Sequence, residues 1–92
     1  MKTIKIGKNE YKIGVLSSYD LDIIYESYEG KKLTKLQQSF TIYLYALKLF
    51  NDDIKMNLEE FMKSVPMAEV QEKTQELNRI IGVNFTQPKK IS

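Results

Sequence analysis

Histidine and cysteine are both missing from this 92-residue chain. Their absence removes the commonest general base, the commonest zinc ligand, disulfides, thiolate metal sites and a Cys nucleophile together. Ser–His–Asp and Cys–His catalysis are impossible, so any chemistry would fall to Asp, Glu, Lys, Tyr or Ser. No G-x-x-x-x-G-K-[ST] or G-x-G-x-x-G occurs, which speaks against the common nucleotide-binding folds. Three groupings remain. Asp22, Glu26 and Glu29 share one face of an expected helix and carry oxygens of the kind a hard cation takes. The same spacing is the ordinary pattern of a solvated helix face, and we read it so. Asn51-Asp52-Asp53 opens like a calcium loop but lacks Gly at the sixth position and Glu at the twelfth, so it reads as a helix-ending turn. Lys2, Lys5, Lys8 and Lys12 stand near Tyr11, a combination that can contact single-stranded nucleic acid. With no Arg among them, they read as a solvated hairpin face whose Lys side chains discourage edge pairing. The expectation is a protein that is not an enzyme and uses no cofactor or metal.

Charge points the same way. Thirteen Lys and the single Arg79 against twelve acids give a net charge of +2. Residues 1–14 carry +3 and residues 83–92 carry +2, so the body between them is mildly acidic at −3. A nucleic-acid binder concentrates more positive charge in one place. Apolar residues at 42% and charged residues at 28% are globular values, so a folded domain is expected rather than disorder. The start, Met1–Ile13, alternates charge with apolar residues and is not a signal peptide. The longest apolar-rich stretch, Phe40–Phe50, is about half of the ~20 residues that a membrane-spanning helix needs.

The elements follow from periodicity. Ile4 and Ile6, then Tyr11, Ile13 and Val15, alternate with polar residues around Gly7-Lys8-Asn9-Glu10, which predicts a β-hairpin over 2–15. Ser17 or Ser18 can cap a first helix running to about Glu29, with Leu21, Ile24, Tyr25 and Tyr28 as its apolar stripe and Gly30 as its stop. Thr34 with Gln37 forms a capping box for a second helix over 34–50. Its core face is Leu36, Phe40, Tyr43, Leu44, Leu47 and Phe50. A second, nearly opposite face holds Ile42, Tyr45 and Leu49. That face either packs under the hairpin or forms an oligomer or partner surface, and Ile42, Tyr45 and Leu49 are the candidate partner-binding residues. Asn57 with Glu60 caps a third helix over 58–65, with Met56 and Phe61 as a hydrophobic staple. Pro66 opens a fourth helix over 66–81, carrying Val70, Thr74, Leu77 and Ile81, and Gly82 closes it. Residues 83–92 read as a basic, flexible tail. The fold class is mainly α: an N-terminal hairpin followed by about four helices in one compact α+β domain over 1–82.

This order of elements is similar to that of a known family. The opening Ile4-Lys5-Ile6-Gly7-Lys8-Asn9-Glu10-Tyr11-Lys12-Ile13 resembles the basic strand–turn–strand start of the tail assembly chaperones of long-tailed phages and prophages. Tyr43-Leu44-Tyr45-Ala46-Leu47 resembles that family's aliphatic-aromatic central helix, and Asp53–Phe61 its acidic turn and capped helix. The likeness rests on pattern and order over residues 2–82, and no catalytic motif takes part. It implies a non-catalytic protein of the bacterial host cytoplasm that keeps the tape measure protein soluble and recruits the major tail protein during tail assembly. Such chaperones are often made in a second, longer form by a ribosomal slip, and Lys89-Lys90 is where an A-rich slippery run would stand. A basic tail departs from the acidic or strongly helical end common in the family. The Met residues, Met62 and Met67 among them, add adaptable packing that would suit a tolerant client fit. A homo-oligomer is a possible assembly, and neither a membrane nor nucleic acid is an expected partner. The alternative reading is a small phage-type DNA-binding regulator, with the third and fourth helices as a loose helix-turn-helix. Its recognition helix would set Glu69, Glu72 and Glu76 against Lys73 and Arg79, which phosphate repels.

Overall fold

The computed structural model describes residues 1–82. The basic tail read at 83–92, with Lys89-Lys90, lies outside the described residues. Two antiparallel strands, β1 (Lys2–Ile6) and β2 (Asn9–Ile13), are followed by α1 (Ser18–Tyr28), α2 (Lys35–Phe50), α3 (Leu58–Ser64) and α4 (Val70–Ile81), with a 3₁₀ turn (Met67–Glu69) before α4. The fold is the α+β arrangement expected, a hairpin and then four helices.

The hairpin turns on two residues only, since Ile6 pairs with Asn9. Asn9 and Glu10, expected in the turn, belong to β2. Gly7 has φ +61° and no other residue of the turn has positive φ, the pattern of a type II′ turn with Gly at its first central position. Ile4, Ile6, Tyr11 and Ile13 face the core as the alternation predicts. Val15 does not continue the strand. β2 stops at Ile13, Gly14 sits against the Phe50 ring, and Val15 is 74% exposed while Leu16 turns inward. The Leu16 N–H donates to the Ile81 carbonyl at 3.1 Å, fixing this corner to the end of α4.

Three capping boxes set the helix starts, at Ser17/Asp20, Thr34/Gln37 and Asn57/Glu60. Each satisfies two backbone N–H groups that would otherwise lack partners. Helix α2 is the central element, with the hairpin, α1 and α3 all packed on it. Phe40, Ile42, Tyr43, Leu44, Ala46 and Leu47 are all buried, so the middle of α2 is enclosed on nearly every side. Leu36, expected on the core face, is exposed in the first turn of that helix.

The junction between α3 and α4 differs from the expected direct start at Pro66. Val65 is extended at φ −99° and ψ 111°, as the residue before proline is pushed to be, and α3 ends at Ser64. Pro66 is also extended, and a 3₁₀ turn intervenes before α4 begins at Val70. That turn lets the Glu69 carboxylate accept from the Gly7 N–H at 3.1 Å, clamping the hairpin tip. The other end of α4 closes with Gly82 at φ +87°, as read from the sequence.

Candidate functional site

On α2 the enclosed positions leave one solvent-facing strip, Thr41, Tyr45, Lys48 and Leu49, spaced at i, i+4, i+7 and i+8. The three residues read as a partner face do not share it. Ile42 is 0% exposed and lies in the core cluster with the hairpin's Ile4, Ile6, Tyr11 and Ile13. Ile42 is therefore enclosed in the core and presents no surface to a partner. Tyr45 is half-buried, and Leu49 is 48% exposed.

A residue that the sequence reading passed over completes the surface. Tyr19, in the first turn of α1, is 73% exposed beside Asp20. Its position is set by the Ser17 cap. The Asp20 carboxylate accepts from the Ser17 N–H and hydroxyl, each at 2.9 Å, and its other oxygen accepts from the Tyr45 hydroxyl at 3.1 Å. Asp20 thus joins the start of α1 to the outward strip of α2. Hydrogen bonding from Ser17, first through its backbone N–H and then its hydroxyl, holds the Asp20 carboxyl below its ordinary range. Partial burial pushes the Tyr45 hydroxyl up, and its bond to Asp20 and the nearby Asp20 and Tyr19 groups add to this. Tyr45, held by Asp20, thus has exposed Tyr19 near it and exposed Leu49 one helical turn along α2. Tyr19 gave no signal in the sequence, because its i+3 and i+7 neighbours, Asp22 and Glu26, are acids and it joins no apolar stripe.

The remaining groupings are placed as follows. Asp22, Glu26 and Glu29 line a shallow depression on α1 with Tyr25 and Tyr28, whose rings meet edge to face at 5.8 Å. No group of three or more acidic side chains among the described residues converges as a metal site. Tyr11 is buried, so the aromatic that would stack a base beside the hairpin Lys residues faces the core. The exposed residues of α4 are Gln71, Glu72, Gln75 and Arg79, and Lys73 pairs with Glu76 at 3.7 Å. That face lacks the positive footprint of a DNA-reading helix. Met67 is fully outward, whereas Met62 lies in a groove with Gln37, Leu58, Glu59 and Lys63. Among the described residues no helix is long and apolar enough to cross a membrane. Comparison of the chain with protein-family models, with curated proteins and with solved structures finds no match.

Proposed function

We propose that this chain is a non-catalytic assembly chaperone that holds an amphipathic helix of a client protein. The observation that carries the reading is the exposure of Tyr19 and Leu49 near the anchored Tyr45, which sets two exposed apolar groups beside a fixed aromatic. Rigid aromatics give contact area at small entropic cost, and a helical client needs an apolar face and no chemistry. The resemblance of residues 2–82 to phage tail assembly chaperones supports a definite client, the tape measure protein of a long-tailed phage, with the major tail protein as the second partner.

The test is co-expression with a tape measure protein, scoring its soluble fraction. The chaperone should raise that fraction, and the pair Tyr19→Glu with Leu49→Glu should abolish the gain while circular dichroism and melting stay those of the parent. Rescue undiminished in the folded double variant would eliminate this face. No rescue by the parent chain would eliminate the chaperone reading.

A further inference from the structure

The two outer edges of the hairpin are treated differently. Asn51 covers β2: its side-chain oxygen accepts from the Lys12 N–H at 3.0 Å and its amide donates to the Lys12 carbonyl at 2.8 Å. One side chain thereby stands in for a neighbouring strand. The same contact fixes the orientation of the ladder, because a Lys12 backbone that turns outward makes Thr3↔Lys12 a non-hydrogen-bonded pair. Lys5↔Glu10, two residues along, is another such pair. The N–H and C=O of Thr3 and Lys5 therefore point away from β2, and no other described residue pairs with them.

A cleft of about 400 Å³ opens at the open end of the hairpin, where Met1–Thr3 and Ile13–Val15 face α4, so that it adjoins the edge at Thr3. Met1, Val15 and Ile80 supply its apolar lining, with Lys2 and Arg79 as its cations. Its one acid, Glu76, is engaged by Lys73. On the outer face Lys5 stands next to Thr3 along the same edge.

We infer that the free edge of β1 is a docking site for an extended acidic segment of another protein, added as a third strand. Main-chain groups of Thr3 and Lys5 supply the ladder, and the Met1–Val15–Ile80 cleft takes an apolar side chain. Carboxylates on the added strand meet Lys2 and Arg79 on one face and Lys5 on the other. A second copy of this chain is the wrong occupant, because edge-to-edge pairing would set the Lys2 and Lys5 of both copies together. The inference is independent of the Tyr19–Tyr45–Leu49 surface.

The experiment uses the full chain, ¹⁵N-labelled, with two synthetic ten-residue probes: Val at every fourth position with Glu at all others, and Val at every fourth position with Lys at all others, so that each strand face carries charge. In the free protein the Thr3 and Lys5 amides should exchange fast. The Glu probe should protect both, and the Lys probe neither. Thr3→Pro removes an outward N–H while leaving the ladder intact, and should weaken binding of the Glu probe at least tenfold. Lys5→Glu should weaken it similarly and keeps every backbone group. Protection of Thr3 and Lys5 before any probe is added would overturn the inference, since the edge would already be filled. Equal binding of the two probes, binding of neither, or full binding by folded Thr3→Pro and Lys5→Glu would also overturn it.

Discussion

Gly7 is where the hairpin, the end of α3 and the start of α4 meet, and its replacement by Ala tests that junction. A Cβ at Gly7 would lie 2.7 Å from the Ser64 carbonyl oxygen, which is backbone and cannot swing aside, and the residue sits at φ +61°. The left-handed backbone costs an L-residue ~1–2 kcal/mol. Overpacking against fixed atoms adds ~1–3 kcal/mol. Reduced freedom of the unfolded chain returns ~0.4–1 kcal/mol. Gly7→Ala should therefore lose about 1–4.5 kcal/mol, against the ~5–14 kcal/mol typical for a domain of this size. At ~4–8 °C per kcal/mol for a small domain, the Tm should fall by about 4–36 °C. Gly30 is the matched control: its φ is +80° and nothing lies within 4 Å of an added Cβ. Gly30→Ala should cost ~0–1.5 kcal/mol, the backbone strain less the unfolded-state gain. Urea and thermal unfolding by circular dichroism give both numbers. If the two variants agree to within ~0.5 kcal/mol, the precision to which independent effects add, the Ser64 contact does not tie the hairpin down and the junction is wrongly described.

Other perturbations follow from single contacts. Burial pushes the Tyr43 hydroxyl from its ordinary 10 up to about 12, partly offset by its 2.7 Å bond to Asn78. A raised folded value means its stabilisation is complete below pH ~10 and drains as pH rises towards 12, by ~2–3 kcal/mol. Tyr43→Phe should flatten that alkaline loss and cost ~1 kcal/mol at neutral pH, read from urea midpoints across pH. Asp20 carries the opposite sign: its lowered value supports the fold above its ordinary 3.8, and that support is lost as pH falls below it. Asp20→Asn should remove this acid limb from the stability profile. Asn51→Ala deletes both bonds to Lys12 and the 2.7 Å bond its amide donates to the Leu47 carbonyl. It should cost ~1–3 kcal/mol and speed exchange of the Lys12 amide, the marker that β2 has lost its cover.

Local rules reached the elements because their causes are local. Ser17, Thr34 and Asn57 each met an acid or amide three residues on, so helix starts could be read within a residue. Ile4, Ile6, Tyr11 and Ile13 showed their shared face through period-2 spacing alone. The absence of His and Cys excluded whole classes of chemistry without any fold. Tertiary packing decided what spacing cannot encode. The parity of the strand broke at Gly14 because Phe50, thirty-six positions away, comes against it. Pro66 yielded to a 3₁₀ turn whose Glu69 reaches back to Gly7. Most tellingly, Ile42 and Leu49 look alike on a helical wheel, yet one is enclosed and the other open. A wheel records angle about one axis, whereas burial depends on which other elements lie over each angle at each height along it. Neighbouring elements close over Ile42 and leave Leu49 half open, so only the folded chain could separate core from surface on the central helix.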